Sequence, residues 1–355
     1  MNAIKSTEYS IYFKDEAYNQ LNNYLIDNQI NKIFVLVDEN TNIHCLPKFT
    51  AKISNTIEIV TIIIKAGEIN KNITTCIQVW KKLTELQADR KSLMINLGGG
   101  MVTDLGGFVA STFKRGVNFI NIPTTLLSMV DASVGSKTGV DLDNLKNLIG
   151  LFSNPEMVVI DPTFLETISE REIKSGVAEI IKYGLTFNPK LLDDIKHDKW
   201  KSINNLNDII HQSIGIKNKV VLEDFKETNL RKALNYGHTV GHAIESYFLE
   251  HQVLENLLHG EAVAIGMVVE AYVSKKLYGF PINELESLKN YILKTYGKIT
   301  IEKEHYTAIL DLMKHDKKNI NGVVKYILLK NVGEFVLDTT APIDLIIEGL
   351  DYYQA

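Results

Sequence analysis

The spacing of apolar residues changes near residue 165. Before it, short apolar runs alternate with amphipathic stretches, a pattern that predicts buried parallel strands separated by helices. Residues 9–13 predict an edge strand, and helices are predicted from there to about residue 27 and at about 73–87. The buried strands are predicted from β-branched, apolar runs at 33–37, 57–64, 93–97, 119–125 and 157–162. This order predicts an open α/β sheet.

After residue 165 the apolar residues follow a helical period. Ser169 and Glu172 form a capping-box pattern before the apolar stripe of a helix that reaches about Tyr183. Further elements are predicted as helices at about 204–222, 234–249, 260–277, 283–294 and 305–315, and as a short strand pair at 323–329 and 334–337. The 355 residues are enough for two cores. We therefore expect an α/β domain of residues 1–165 and a mainly helical domain of residues 166–355.

Composition narrows the function classes. A net charge of −5 without long blocks of like charge argues against nucleic-acid binding. The chain has no apolar run of about 20 residues, and its first 13 residues are too polar for a signal peptide, so we expect a cytoplasmic protein without a membrane span. Its two cysteines, Cys45 and Cys76, lack Cys-x-x-Cys spacing. Any metal must be held by His and carboxylate side chains.

Ligands of an open α/β sheet bind at the carboxyl ends of its strands. Asp38 follows one predicted strand, the hydroxyl pair Thr124 and Thr125 ends another, and three glycines, Gly98 to Gly100, follow a third. Consecutive glycines let a pyrophosphate approach the backbone, and the helix after them offers free amide groups. The spacing differs from Gly-x-Gly-x-x-Gly, and the alternative is a plain tight turn. The pattern favours a dinucleotide-binding domain.

Histidines and acids of the second half suggest a metal. His238 and His242 lie one helical turn apart, with Glu245 a turn below them, and His259 follows in a second cluster. Catalytic zinc usually takes three protein ligands. The two histidines and His259, with either Glu179 or Glu245 as the acidic candidate, would supply them. The alternative for Glu179 is a surface carboxylate paired with Lys182, three residues later.

Cationic residues beside Gly, Asn or Thr suggest an anionic ligand in this acidic chain. They are Arg115, Lys137, Lys146, Lys182 and Arg231. Two of these lysines, with Asn147, belong to residues 131–147, which predict a polar loop whose alternative role is simply that of a solvated connection. Together the cations suit a small polyanion that carries a phosphate and a carboxylate.

Many motifs, in order from about Asp38 to Asn319, resemble the 3-dehydroquinate synthase family. They are Gly98-Gly99-Gly100 with Asp104, Gly-Phe-Val-Ala at 107–110, Arg115-Gly116, Pro-Thr-Thr-Leu-Leu at 123–127, Asp-Ala-Ser-Val-Gly at 131–135, Lys146-Asn147, Ala-Glu-Ile-Ile-Lys at 178–182, Leu-Asn-Tyr-Gly-His-Thr at 234–239 and His259-Gly260-Glu261.

The resemblance implies a two-domain enzyme, usually a homodimer, that depends on NAD and Zn²⁺, with Co²⁺ as a possible substitute. It implies conversion of 3-deoxy-D-arabino-heptulosonate 7-phosphate, a phosphorylated sugar acid, to 3-dehydroquinate and phosphate in the shikimate pathway. In this family NAD oxidises C5, phosphate is eliminated, the ketone is reduced again, and an aldol step closes the ring. No NADH accumulates.

The resemblance also implies residue roles. The metal ligands would be Glu179, His238 and His259, which makes His242 a substrate residue and Glu245 a helix-face residue. Substrate contacts would come from Lys137, Lys146, Asn147, Lys182, Arg231, Asn235 and His242, with Arg115 reaching the phosphate from the neighbouring subunit, Asp131 near the metal and nicotinamide, and Lys317 or Lys318 as a late contact. NAD would be held by Asp38, Glu68, Lys71, Gly98, Gly99, Gly100, Asp104, Thr124, Thr125 and Thr167, beside Lys137 and Lys146.

Two departures concern the substrate loop. Ser136 stands where the family commonly has a second glycine, and residues 141–146 lack the family's usual Asn-His-Pro-x-Gly form. A positive φ at Ser136 would cost about 1 kcal/mol. The alternatives are therefore another sugar phosphate cyclase, a metal-dependent polyol dehydrogenase that releases NADH, and a non-catalytic binding protein. Joint presence of the metal-ligand and lysine candidates argues against the last.

Overall fold

The computed structural model describes residues 1–142, 145–251, 256–314 and 323–355. Its residues form two compact units, Met1–Ser169 and Glu170–Ala355. The first unit ends four residues after the boundary expected at residue 165. Within the described ranges no helix combines the length and apolar composition that crossing a membrane requires.

The first unit is built around a largely parallel sheet. Its strands, and those of a separate hairpin, are β1 (Ile4–Lys5), β2 (Ser10–Phe13), β3 (Lys32–Asp38), β4 (Glu58–Ile64), β5 (Leu93–Gly98), β6 (Asn118–Pro123), β7 (Lys137–Leu142), β8 (Leu145–Phe152) and β9 (Met157–Ile160). In the described residues the sheet order is β1-β2-β9-β6-β5-β3-β4, and only the β1–β2 pair is antiparallel. The edge-strand prediction for residues 9–13 is wrong, because the two-residue β1 pairs with the outer side of β2.

Helices cover the sheet, and their apolar residues pack with those of the strands to form the core of the first unit. The helices are α1 (Lys14–Asp27), α2 (Glu39–His44), α3 (Leu46–Thr50), α4 (Ile73–Glu85) and α5 (Gly100–Thr112). Apolar residues of β3, β5, α4 and α5 pack into one cluster that includes Phe34, Val79 and Leu105. Gly106 lets α5 lie close to β5, since a Cβ there would be 2.1 Å from Asn96 Oδ1. The packing fixes the start of α5 directly after the glycine turn.

Residues 131–147 do not form the simple polar loop expected from their composition. They include β7, which pairs antiparallel with β8. Thr138 and Val140 are buried on one face of β7, and this alternation is the strand signal that the neighbouring polar residues obscure. Gly139 and Gly150 face each other in the ladder, where a Cβ on Gly139 would lie 2.7 Å from the Ile149 carbonyl oxygen.

The second unit is mainly helical. Its elements are α6 (Glu170–Thr186), α7 (Pro189–Lys196), α8 (Ile203–Glu223), α9 (His238–Glu250), α10 (His259–Tyr278), α11 (Ile282–Tyr296), α12 (Lys303–Lys314), β10 (Tyr326–Asn331), β11 (Glu334–Thr339) and α13 (Ile343–Gln354). Helix α10 packs against α6, α9, α11, α13 and β10. Because α10 is covered on all sides, it is buried over most of its length.

The largest boundary difference concerns the helix expected at 234–249. Residues Leu230–Asn235 form a separate 3₁₀ helix, and α9 begins only at His238. Gly237 takes a φ of 78°, a left-handed conformation that ends one helix before the next begins. The break places His238 at the first position of α9, and His242 one turn later.

Candidate metal centre and active site

Four side chains of the types that bind metal ions converge from three helices of the second unit. Ring nitrogens of His238, His242 and His259 lie within 4.8 Å of one another. Glu179, on α6, places Oε1 3.4 Å from His238 Nε2 and 3.5 Å from His259 Nε2. Helices α6, α9 and α10 therefore supply both nitrogen and oxygen donors of the kind that zinc binds.

Glu179 is fully buried, so it is not the surface carboxylate that the sequence left as an alternative. Its Oε2 pairs with the Lys182 ammonium, which is also buried. Burial opposes ionisation, but Lys182 and His238 outweigh it and hold the pKa of the Glu179 carboxyl well below its usual range. Within the described residues, Oε1 has no hydrogen-bond partner. A buried, ionised oxygen between two imidazole nitrogens fits a divalent cation, which would offset its desolvation.

The hydrogen bonds of His238 and His259 fix which ring nitrogen can bind a metal. His238 Nδ1 lies 3.0 Å from the Tyr236 carbonyl oxygen, and His259 Nδ1 lies 3.1 Å from Glu245 Oε2. Both partners only accept, so each Nδ1 carries the proton and each neutral ring keeps its lone pair on Nε2. Glu245, expected only on the helix face, thus orients His259.

The carboxylates beside His259 also change the pKa of its imidazole. Burial disfavours the imidazolium, but Glu245 and Glu179 outweigh burial and raise the pKa of His259 to about 9. A bound metal must displace a proton from His259, because only the neutral ring ligates. The two carboxylates therefore create a site that attracts positive charge, whether as a proton or as a metal ion.

The beginning of α9 is held by a buried acid of α10. Glu270 is fully buried, and it accepts hydrogen bonds from the Gly237 amide at 2.8 Å and the Val240 amide at 3.5 Å. These amides belong to the N-cap and the first turn of α9, where helices leave N–H groups unsatisfied. Gly266 allows the close crossing, since a Cβ there would lie 2.0 Å from the Gly237 carbonyl oxygen. Together these contacts fix the position of the residue between them, His238.

The beginning of α10 is held by α6. Arg171 donates from Nε and Nη2 to the two oxygens of Glu261 at 2.7 and 2.8 Å, and from Nη2 to the Asn256 carbonyl at 2.8 Å. The Gly260 amide donates to Ser175 Oγ at 3.0 Å, and a Cβ on Gly260 would meet the Ser175 carbonyl oxygen at 2.1 Å. This close approach brings His259 to the same helix that carries Glu179.

Among the other predicted substrate residues of this unit, Arg231 is buried and Asn235 is half-buried, and both are held by hydrogen bonds. Arg231, 2% exposed, donates from Nη1 to the Phe225 carbonyl at 2.6 Å, and Asn235 Nδ2 donates to Glu227 Oε1 at 2.5 Å. Both belong to the 3₁₀ helix before α9.

Lys217 was not singled out from the sequence as a candidate site residue. It is buried on α8, which packs against the 3₁₀ helix that carries Arg231. Its signal in the sequence is its position within the apolar stripe of Ile210, Ile214 and Val221. A lysine in such a stripe needs an anionic or polar partner. Lys317 and Lys318 lie outside the described residues.

In the first unit, Lys71 gathers residues that the resemblance assigned to different roles. Its ammonium lies 2.6 Å from Asp104 Oδ2, 2.6 Å from Asn147 Oδ1 and 3.7 Å from Glu68 Oε1. Lys146 Nζ lies 3.8 Å from the same oxygen of Glu68. Burial opposes the charge, but Asp104 and Glu68 outweigh it and raise the pKa of Lys71 above its ordinary value. The result is one charged cluster around a buried lysine.

The carboxyl ends of the central strands meet beside the glycine turn. Gly98 of β5 pairs with Pro123 of β6, and Thr125 Cγ2 would lie 3.0 Å from a Cβ on Gly99. Gly99 precedes α5, whose first turn has neither an acidic residue nor a side-chain cap. The free amides there fit an anionic group such as a pyrophosphate. Gly98 also has a packing role, since its Cβ would meet Val102 Cβ at 2.5 Å.

Asp38 ends β3 and caps α2. Its Oδ1 accepts a hydrogen bond from the Thr41 amide at 2.8 Å. A carboxylate with one oxygen used as a cap keeps its second oxygen for a ribose hydroxyl. Thr167, in contrast, is exposed and bonds locally, from Oγ1 to the Phe164 carbonyl at 3.4 Å.

The remaining predicted residues lie on or next to turns of the first unit. Arg115 is exposed, and Lys114, Arg115 and Gly116 all have positive φ angles, of 52°, 72° and 113°. Asp131 is half-buried in a single helical turn, Ser128–Ala132, and exposed Lys137 begins β7. Ser136 has a φ of 64°, which meets the condition under which serine was expected to be strained.

Comparison with known proteins identifies the family. Models described as the N-terminal and C-terminal parts of 3-dehydroquinate synthase match residues 61–175 and 176–319. A 3-dehydroquinate synthase from Parabacteroides distasonis is 40% identical over 353 residues, which cover 98% of each chain.

Solved structures share the fold. One is a 2-epi-5-epi-valiolone synthase from Streptomyces hygroscopicus with NAD⁺ and Zn²⁺ bound, which has a TM-score of 0.87 at 22% identity over 100% of this chain and 99% of that one. Another is a 2-deoxy-scyllo-inosose synthase with carbaglucose-6-phosphate, NAD⁺ and Co²⁺, with a TM-score of 0.84 at 24% identity over 98% and 99%. These similarities confirm the fold class predicted from the sequence, and the two family models with the 40% identity confirm the resemblance. The chain belongs to the 3-dehydroquinate synthase family.

Proposed function

We propose that the chain carries out its family's reaction, from 3-deoxy-D-arabino-heptulosonate 7-phosphate to 3-dehydroquinate and phosphate, with Glu179, His238 and His259 as metal ligands. The supporting observation is Glu179 Oε1, which is buried without a hydrogen-bond partner in the described residues and lies 3.4 and 3.5 Å from the two Nε2 atoms. The Nδ1 contacts of both rings leave Nε2 for a metal. Zn²⁺ suits this donor set, and Co²⁺ can replace it.

We propose that NAD binds the predicted domain of residues 1–165, which falls within the first unit. The free amides that begin α5 would take the pyrophosphate, and Asp38 would accept a ribose hydroxyl. The other proposed contacts are Glu68, Lys71, Asp104, Thr124, Thr125, Lys137, Lys146 and Thr167. Support comes from the cluster around Lys71, whose ion pairs hold Glu68 and Asp104. Metal and substrate residues are proposed for the domain of residues 166–355.

When bound, NAD supplies a reversible hydride acceptor, and the metal supplies a Lewis acid for the substrate oxygens. The chain's own residues orient the substrate and exchange protons with it. Lys182 gives one of its three N–H donors to Glu179, and its ammonium also neutralises that carboxylate. His242, whose ring centroid lies 5.2 Å from that of His238, is proposed to exchange a proton with a substrate hydroxyl.

Substrate charge is proposed to be matched by fixed cations. Arg231 and Asn235 would bind the substrate's carboxylate and hydroxyls, because both are held by the 3₁₀ helix that precedes α9. Lys137, Lys146 and Asn147 would contact it from the hairpin, with Asp131 nearby. The departing phosphate can take the proton of the elimination itself, so the step needs no separate general base.

We also propose that the protein is a homodimer, as the family resemblance implies, and that it lies in the cytoplasm. Arg115 would reach the phosphate of the substrate bound in the neighbouring subunit. In its exposed turn Lys114 and Arg115 both have positive φ angles, which are costly for residues with side chains and persist at functional sites.

A second candidate is another sugar phosphate cyclase, which Ser136 favours because its left-handed conformation suits the glycine more common in the family. The test supplies purified protein, NAD and Zn²⁺ with the heptulosonate phosphate, a heptulose phosphate, glucose 6-phosphate or a polyol in turn. We expect phosphate and 3-dehydroquinate only from the first, without net NADH. Phosphate from another sugar phosphate alone would select the second candidate, and net NADH from a polyol would indicate a dehydrogenase.

A further inference from the structure

The turn before Lys137 has an unusual backbone. Gly135 and Ser136 have φ angles of 103° and 64°, so two successive residues occupy left-handed conformations. Glycine adopts such angles readily, whereas serine does so only where surrounding contacts impose them. Lys137 follows directly and begins β7. The contacts that hold this turn therefore determine where the Lys137 side chain starts.

One of these contacts comes from the residue that directly precedes β2. The Tyr9 hydroxyl accepts a hydrogen bond from the Gly135 amide at 3.0 Å, although the two residues are 126 positions apart. Tyr9 is 4% exposed and precedes β2, where its ring shares the buried face with Ile11 and Phe13. This hydrogen bond forms only when the Gly135 amide points toward the Tyr9 hydroxyl, so it favours the observed turn over alternatives that lack it.

A second set of contacts holds Ser136 itself. Its Oγ bonds to Asn154 Oδ1, and Asn154 Nδ2 donates to Glu8 Oε2 at 2.7 Å. The Ser136 carbonyl oxygen accepts from the Ser153 amide at 2.7 Å. The serine side chain thus supplies an anchor that glycine lacks. Both chains of contacts, through Tyr9 and through Asn154, end at neighbouring residues of the N-terminal segment.

We propose that Tyr9 and Glu8 are positioning residues for Lys137, which they hold in place for substrate binding through the Gly135–Ser136 turn. The inference rests on the proposed function, in which Lys137 contacts the substrate. Neither residue needs to touch the substrate. When the turn relaxes, the start of β7 shifts and the long lysine side chain carries its ammonium away from the substrate anion.

Tyr9→Phe tests this step, because it removes the hydroxyl and keeps the ring. We expect KM for the heptulosonate phosphate to rise about three- to tenfold with little change in kcat, since a misplaced binding cation weakens substrate and transition state alike. Tyr12→Phe is the matched control three residues later, on β2, where the side chain is half-buried on the opposite face. It should leave KM within about twofold of wild type. A Tyr9→Phe enzyme with wild-type KM would overturn the proposal.

A double-mutant cycle with Lys137→Ala separates positioning from general stability. If Tyr9 acts through Lys137, Tyr9→Phe should change kcat/KM by less than about twofold once Lys137 is alanine. Equal loss in both backgrounds would overturn the positioning role and leave the proposed function standing. Unchanged kcat/KM in Lys137→Ala alone would instead remove Lys137 from the substrate site, and the inference with it.

Ser136 provides an independent test. Ser136→Ala removes the bond to Asn154 and keeps a side chain that disfavours the left-handed angle, whereas Ser136→Gly removes the bond and the restriction together. We therefore expect kcat/KM to fall more in the alanine variant, by about fivefold relative to glycine. Equal values in the two variants would contradict a role for the strained turn.

Discussion

Removal of Glu245 should weaken metal binding although Glu245 is not a proposed ligand. Its Oε2 accepts the proton of His259 Nδ1 at 3.1 Å, and its side chain is 7% exposed. In Glu245→Ala, His259 loses the acceptor that fixes its tautomer and its orientation toward Glu179. Hydrogen-bonded partners of this kind typically change metal affinity by about 10- to 100-fold, which corresponds to about 1.4–2.8 kcal/mol.

The variant Glu245→Gln separates the effect of ring orientation from the effect of charge. Glu245→Gln keeps an oxygen that can accept the Nδ1 proton but removes the negative charge. It should therefore lose less affinity than Glu245→Ala, because the ring stays oriented. The charge both raises the pKa of His259 and attracts the metal ion, so its removal lessens competition by protons but also weakens the attraction for Zn²⁺.

The assay is a competition titration of Zn²⁺ against a chromophoric chelator, with thermal unfolding as a check on the fold. Glu250→Ala is the matched control, since Glu250 is an exposed glutamate at the end of the same helix. It should bind Zn²⁺ with wild-type affinity. Wild-type affinity in Glu245→Ala itself would refute the argument that this carboxylate orients His259.

The remaining predictions concern the ligand set and helix packing. Glu179→Gln should lower Zn²⁺ affinity by more than about 100-fold and abolish phosphate release, and a metal-replete, active variant would contradict its assignment. Gly260→Ala should lower the free energy of unfolding by about 2 kcal/mol or more in denaturant titration, because its Cβ would meet the Ser175 carbonyl oxygen at 2.1 Å; an unchanged midpoint would disprove the close crossing of α6 and α10. Gly215→Ala, in α8, should raise stability by about 0.5–1 kcal/mol, because among the described residues no atom beyond the neighbouring helix backbone lies within 4 Å of the added Cβ; a loss would show a hidden constraint.

The sequence revealed the parallel sheet because its central strands are buried on both faces. β3 and β5 carry runs such as Ile33 to Val37 that only a doubly covered strand explains. The hairpin of β7 and β8 was missed because charged and polar residues interrupt its alternation. Helices α7 and α13 were also missed; α7 is only eight residues long, a length at which periodicity is weakly defined.

Only part of the site could be predicted from the sequence, and the reason differs from the one that applies to the fold. Periodicity placed His238 and His242 one turn apart, but it could not bring Glu179 between His238 and His259, because that depends on how α6, α9 and α10 cross. Those crossings are set by glycines such as Gly260 and Gly266, whose close contacts are tertiary. The motif resemblance supplied the ligand set, and the contact of Glu245 with His259 appeared only in the structure.

The metal assignment is tested most directly by the crystal structure of the Zn²⁺-loaded protein, with anomalous scattering recorded at the zinc edge. We expect one peak about 2.0–2.2 Å from Glu179 Oε1, His238 Nε2 and His259 Nε2, with His242 outside bonding distance. A peak held by His238, His242 and His259, with Glu179 bound only to Lys182, would contradict the proposed ligand set.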